Sequence, residues 1–422
     1  MNATAVRPYE TLENTMNKPH KYPTRHTPSP RWATALTAIS LAALLSACGG
    51  GSDTMATPMG TLRLALTDAP TCGYDHVYVS IQKIRVHQSN TASDTDAGWS
   101  DVVLSPTRRV DLLTLTNGVL SELGQTSLPS GKYTQMRLQL AANDAGTPMA
   151  NSVTPTGGTE TALATPSASQ TGLKLNVDVT VGADQVADLV LDFDACRSVV
   201  KLGNSGNYNL KPVVSVTPRV SDAANRVIGY VSPALGSSTT VSAQLNGVPI
   251  KSTVPDSTGK FVLTPLTAGT YDVVVSAAGR ASATVTGVPV SSTANTTLNA
   301  STTPIDPPTS AMHVVSGSVI LAPAVTPIDA LVVARKTFAA GPTIEVAAKP
   351  VDGVTGAFSF ALPSAAPVKM AYAAGTSTLV FSADSSVPTG KYSLVATSGT
   401  SVKTLPVDLS LSDVTALNFS FP

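Results

Sequence analysis

A period-two alternation of apolar with small or polar residues runs along most of this chain and constrains its fold more than any other feature. Leu62, Leu64 and Leu66 alternate with Arg63 and Ala65, the pattern of a strand with one buried face. Val77, Val79 and Ile81 alternate likewise, then Ile84 and Val86 continue on the other parity, which predicts a β-bulge near Gln82-Lys83. Leu173, Leu175, Val177, Val179 and Val181, a Gly182-Ala183-Asp184 turn, and Leu189, Leu191 and Phe193 read as a hairpin. In that register Lys174 falls opposite Asp192 or Asp194 on the outer face. No long amphipathic helix competes, and only residues 110–123 leave room for a short helix or turn. The expected fold class is all-β.

Internal repeats divide the chain. Leu128-Pro-Ser-Gly131-Lys-Tyr133 recurs as Leu266-Thr-Ala-Gly269-Thr-Tyr271 and as Val387-Pro-Thr-Gly390-Lys-Tyr392. The spacing resembles a tyrosine corner, in which a tyrosine hydroxyl bonds nearby backbone at a sandwich edge. Tyr133, Tyr271 and Tyr392 are therefore expected at equivalent places in three separate sandwiches. A second unit repeats as Thr258-Gly259-Lys-Phe261 and Thr355-Gly356-Ala-Phe358, and a third as Val227-Ile-Gly229 and Val315-Ser-Gly317. Their order resembles the carboxypeptidase-regulatory-like, or transthyretin-like, sandwich family over 226–300 and 312–422, the latter with an extra stretch before its tyrosine. The proline-rich segment 301–311 reads as a linker between the two.

Residues 59–217 resemble a bacterial lipoprotein family known as domain of unknown function 4382. The matching blocks are Leu66-Thr-Asp68-Ala-Pro70, Gly98-Trp99, Val110-Asp111-Leu-Leu and Leu128 to Leu138. Further blocks are Gln170-Thr-Gly172-Leu-Lys174-Leu, Leu191-Asp-Phe-Asp194 and Tyr208-Asn-Leu-Lys211-Pro212. The resemblance implies an envelope location and a β domain over 59–220, and it brings no catalytic residues. With the repeats it implies three tandem β-sandwiches of Ig-like or transthyretin-like kind.

The amino-terminal stretch carries an address. Arg25 and Arg31 precede the uncharged run Ala33 to Ala47, which is too short for an ordinary membrane span and matches the core of a signal peptide. Leu45-Ser46-Ala47-Cys48 resembles the bacterial lipobox, which implies cleavage after Ala47 and diacylglycerol on Cys48 as the membrane anchor. Residues 1–47 are then a signal peptide, with Met16 an alternative start, and 48–58 a flexible lipidated tether. Gly49 in place of Asp favours the outer membrane by resemblance to bacterial lipoprotein sorting. Cys72 and Cys196 remain after processing, and an even count in an oxidising compartment favours a disulfide between them.

Chemistry is sparse. Lys+Arg and Asp+Glu are both 27, so no basic field draws in nucleic acid. No nucleophile elbow, zinc motif, phosphate loop or calcium loop is present, and no cofactor is implied. His76, His87 and His313 are dispersed, although His76 and His87 would make a metal pair if adjacent strands met. Asp188, Asp192 and Asp194 share a strand face that suits calcium, paired-carboxylate hydrolysis or plain solvation. That face is expected to be convex and solvated. Asp68 suits a turn, and Trp99 suits either a core or a sugar platform. The expected function is a non-catalytic envelope lipoprotein, a binding or spacer module for an envelope protein or glycan. A carbohydrate-active or otherwise hydrolytic lipoprotein and a surface adhesin or matrix component are the alternatives.

Overall fold

The computed structural model describes residues 57–68, 73–219, 224–236, 238–376, 378–384 and 389–422. The expected signal peptide with Met16 and Ala47, the expected lipidation site Cys48, most of the expected tether and Cys72 lie outside these described residues. Strands account for 55 % and helices for 4 %, so the chain is all-β, and its sheets pair into three tandem sandwiches. Among the described residues no helix is long and apolar enough to cross a membrane.

The first sandwich has strands β1 (Met59–Asp68), β2 (Tyr74–His87), β3 (Ser100–Asp111), β4 (Ser121–Pro129), β5 (Gly131–Leu140) and β6 (Ser152–Pro155). It continues with β7 (Thr161–Ala164), β8 (Leu173–Val181), β9 (Val186–Phe193), β10 (Val199–Leu202), β11 (Asn207–Leu210) and β12 (Val214–Pro218). One sheet runs β12-β9-β1-β4; the other runs β10-β11-β7-β6-β2-β5-β8, with β3 also paired to β2. Leu62, Leu64 and Leu66 from one sheet and Val77, Val79 and Ile81 from the other are buried in one core. The bulge is present: the pairing of β2 shifts between Ile81 and Lys83 against both β3 and β5, so Ile84 and Val86 still point inward.

The hairpin 173–194 is not formed. β8 pairs with β5, whereas β9 pairs parallel to β1 and antiparallel to β12 in the opposite sheet. The two arms bury alternate residues in the same core from opposite sides, so their alternation is the same as that of a true hairpin. Lys174 consequently faces neither aspartate, and its Nζ donates to the Asn90 carbonyl at 2.6 Å.

The second sandwich contains β13 (Val227–Tyr230), β14 (Thr240–Leu245), β15 (Val248–Thr253), β16 (Lys260–Leu263), β17 (Gly269–Ser276), β18 (Ala283–Val290) and β19 (Thr296–Thr297). The third opens with β20 (Met312–Leu321), β21 (Leu331–Thr337), β22 (Thr343–Pro350), β23 (Ala357–Pro363) and β24 (Val368–Ala371). It closes with β25 (Ser382–Ala383), β26 (Lys391–Ser398), β27 (Ser401–Asp408) and β28 (Phe419–Phe421). Three-stranded sheets β16-β13-β19 and β23-β20-β28 face larger sheets, β15-β14-β17-β18-β24-β25 and β22-β21-β26-β27.

The repeated sequence units fall on matching places. Gly229 stands opposite Phe261 across the β13–β16 pair, and Gly317 opposite Phe358 across β20–β23. The Val231 and Val319 amides donate to the carbonyls of Gly259 and Gly356 at 2.8 and 2.9 Å. Each of these two glycines has positive φ, +82° and +68°.

The sandwiches are joined rather than strung out, and Ala56–Pro422 form one compact unit. The extra stretch of the third sandwich supplies β24, which pairs parallel to β18 and lengthens the sheet of the second. Met370, Tyr372, Leu379 and Phe381 from this stretch pack on the second core. The segment 301–311 is bound too: Ile305 is buried and exchanges backbone hydrogen bonds with Tyr230 and Ser232.

Candidate functional site

The outer face of β2 gathers the exposed chemistry of the chain. Because Val77, Val79 and Ile81 point inward, His76 and Tyr78 point outward, and the bulge keeps Lys83, Arg85 and His87 on that side. His76 Nδ1 lies 2.6 Å from Asp111 Oδ2, and its ring stacks on Tyr78 with centroids 5.4 Å apart. The Arg109 guanidinium sits 3.7 Å from the Tyr78 ring centroid and donates to Glu160 at 2.6 Å and Ser152 at 2.8 Å. The Ser152 hydroxyl, which donates to Glu160 at 2.6 Å, is the largest influence holding the Glu160 carboxyl below its usual range.

Trp99 marks the other end of this face. Its Nε1 donates to the Ser93 carbonyl at 2.9 Å, and Arg85 and Arg137 lie 4.9 and 5.4 Å from the ring centroid. His87 packs 5.0 Å from the same ring. Trp99 is half-buried between cations, neither a core residue nor a bare platform. His76 and His87 lie near opposite ends of one strand and make no metal pair. His313 contacts Asp413 in the third sandwich at 3.3 Å.

The acidic residues occupy a different place, and the expectation of a convex, solvated aspartate face is wrong. Asp192 on the outer face of β9 is covered by the second sandwich, where Lys251 Nζ meets its Oδ1 at 2.6 Å. The Lys251 side chain is 3 % exposed and that of Asp192 12 %. Asp194 lies beyond the strand end, caps the helical turn Ala195–Ser198 by accepting from Arg197 N at 3.0 Å, and is half-buried. Burial, the largest influence, raises its carboxyl above the usual range against the lowering effect of Arg197. Arg197 also reaches across to Glu345 of the third sandwich. Asp188 pairs with Arg63 at 3.4 Å, and burial, opposed by Arg219 and Arg63, raises it. The three aspartates therefore enter separate ion pairs. Among the described residues no group of three or more His, Cys, Asp and Glu side chains could hold a metal ion.

Asp68 is a buried carboxyl at the end of β1, not an exposed turn former. Its Oδ1 accepts from Ala195 N at 3.1 Å, and among the described residues its buried Oδ2 has no hydrogen bond. Burial first, and then the charge of Asp194, raise it well above the ordinary range. Nearby, a cleft of about 370 Å³ opens where the three sandwiches meet, lined among others by Arg197, Thr240, Ser242, Gln244, Arg280 and Glu345. Nothing in the sequence signalled this joint, since each partner is an ordinary polar residue on its own strand.

Tyr133 and Tyr271 donate to the carbonyls four residues before them, Pro129 at 2.8 Å and Thr267 at 2.9 Å. Tyr392 differs: its hydroxyl crosses to the Pro363 carbonyl at the end of β23, in the facing sheet. Cys196 lies in the helical turn after β9, and its expected partner Cys72 is outside the described residues.

No curated protein matches the chain. Among solved structures it is similar to an N-terminal interface mutant of a type II cohesin–X-dockerin complex from Acetivibrio cellulolyticus, at 28 % identity and a TM-score of 0.17. That match covers 19 % of this chain and 55 % of the other, so the chain spans about half the length of that neighbour. A streptococcal ancillary pilin is 11 % identical over 85 % of this chain and 99 % of its own, with a TM-score of 0.16. The major pilin subunit of Bacillus cereus, BcpA, is 10 % identical over 86 % of this chain and 99 % of its own, at 0.15. Scores this low carry no argument. Residues 59–212, the span that holds the β2 face, match the family model described as domain of unknown function (DUF4382).

Proposed function

We propose that the chain is a non-catalytic cell-envelope lipoprotein, anchored through acylated Cys48, whose joined sandwiches present the outer face of β2 to a polar partner. The observation that carries this reading is a division among the polar groups. Asp192, Asp194 and Glu345 are taken up in joints between sandwiches, whereas His76, Tyr78, Arg85, Arg109 and Trp99 remain together on one sheet face. Cations laid against aromatic rings suit an envelope protein or a glycan bearing acidic groups. The pairing of β24, from the stretch of the third sandwich, with β18 of the second supports a stiff mount for that face over a loose spacer. The outer membrane is the proposed location, from Gly49 after the lipobox.

The Cys72–Cys196 disulfide belongs to this proposal. Asp68 and Phe193 are neighbours on parallel strands, so the two chain segments leave the sheet at the same end within four residues of each cysteine. The second and third sandwiches are proposed as transthyretin-like repeats on the strength of their matching glycine and phenylalanine pairs.

A hydrolytic reading has one specific observation in its favour, the His76–Asp111 pair, which is half of an acid–base triad. Among the described residues no hydroxyl or thiol bonds the far nitrogen of His76. The test has two arms. Cells fed labelled palmitate should yield a labelled wild-type protein and an unlabelled Cys48→Ala precursor; an unlabelled wild type refutes the anchor. Purified protein should leave glycoside, ester and peptide substrates intact. Turnover lost in His76→Gln would replace the binding reading with the hydrolytic one.

A further inference from the structure

We propose that Lys251 and Asp192 become joined by a side-chain amide bond that covalently ties the second sandwich to the first. Lys251 Nζ stands 2.6 Å from Asp192 Oδ1, and the two side chains are 3 % and 12 % exposed. An ammonium offers three donors. Among the described residues this nitrogen meets one acceptor, Asp192, and burial denies it the bulk water that would serve the other donors. In the other lysine–aspartate pairs among the described residues the lysine is more open: 24 % and 28 % exposed in Lys369–Asp384 and Lys83–Asp101, and 54–58 % in Lys132–Asp178, Lys211–Asp329 and Lys391–Asp408, which leaves water to complete their shells.

The backbone holds the reacting atoms in place. Asp192 lies inside its sheet, in register with Thr67 on one side and Ser215 on the other. Lys251, in β15, is in register with Ala243 of β14. Two groups pinned on packed strands meet without the entropy loss of a bimolecular encounter, the condition under which amine and carboxyl condense. The step balances within the pair. One proton passes from the ammonium to the carboxylate, the freed Nζ electron pair forms the new bond to Asp192 Cγ, and a carboxyl oxygen leaves as water with that proton and a second one from the nitrogen. No oxidant or reductant is needed. Asp68 and Asp194 are within electrostatic reach of both partners, and burial first of all holds both carboxyls towards the protonated form, so proton carriers are at hand. The product is a neutral amide, which removes two buried charges from the joint.

Trypsin digestion of the reduced and alkylated full chain, followed by mass spectrometry, tests this. The expected product is one branched peptide joining residues 175–197 to residues 227–260, lighter than their sum by one water and uncut after Lys251. Lys251→Arg should release residues 175–197 as a linear peptide. Recovery of that linear peptide from the wild type, with cleavage after Lys251, would overturn the proposal whatever the variant does.

Discussion

Asn117 accepts a hydrogen bond from the Val262 amide through Oδ1 at 2.6 Å and donates through Nδ2 to the Lys260 carbonyl at 3.2 Å. One side-chain amide thus stands in for a peptide group of a neighbouring strand along β16, the edge of its three-stranded sheet. The Asn117 backbone amide adds a bond to Thr253 Oγ1 at 2.7 Å, so a single residue of the first sandwich docks on two strands of the second. Asn117 has a φ of 58°, a left-handed conformation that asparagine tolerates better than most residues.

Asn117→Ala should therefore cost about 2–4 kcal/mol, from two abandoned backbone groups and a strained φ. Asn117→Asp keeps the acceptor, loses the donor and should fall between. Urea unfolding followed by intrinsic fluorescence would measure both, and an alanine variant as stable as the parent would remove this residue from the joint.

Gly259 and Gly356 make a matched pair for mutation. An added Cβ would stand 2.0 Å from the Val231 carbonyl oxygen in one case and 2.1 Å from that of Val319 in the other. Alanine at either position should cost about 2–4 kcal/mol through left-handed strain and overpacking. Equal losses in thermal unfolding are expected if the two sandwiches are true repeats; a neutral change at one would break the equivalence.

Asp68 should make stability depend on pH in an unusual direction. Burial, then Asp194, raise its carboxyl, so the folded chain holds this proton more tightly than the unfolded chain. Its contribution is full below the unfolded aspartate range of about 4 and is lost as pH rises through the raised folded value. Asp68→Asn keeps an acceptor for Ala195 N and removes the charge. The variant should unfold at higher urea than the parent at neutral pH, with the gap closing as the pH is lowered towards about 4. A gap that widens on acidification would contradict the assignment.

Removing one tyrosine hydroxyl at a time should separate the third sandwich from the others. Tyr133→Phe and Tyr271→Phe each lose one hydrogen bond at a partly buried corner, a cost of about 1 kcal/mol. Tyr392→Phe leaves a buried Pro363 carbonyl without that donor and should cost about 1–3 kcal/mol. Lys336 lies 4.7 Å from the Tyr392 ring centroid and burial lowers its ammonium to about 8, so this corner is drier than an exposed one. Chemical denaturation of the three variants ranks them.

Local pattern decided much of this protein. Alternation placed Val77, Val79 and Ile81 inward and located the Ile81/Lys83 bulge, because a strand's faces follow its own sequence parity. The repeated glycines and phenylalanines announced matching strand pairs, because a left-handed turn and a close carbonyl accept little but glycine. Pairing partners were another matter. Leu173–Val181 and Val186–Phe193 alternate alike whether they pair with each other or face each other across a core, so only tertiary packing assigned them to opposite sheets. The same choice turned the outer face of Asp192 from solvent towards Lys251. Burial and ion pairing at that joint belong to contacts between residues 59 positions apart, and strand parity carries no information about which surface will cover another.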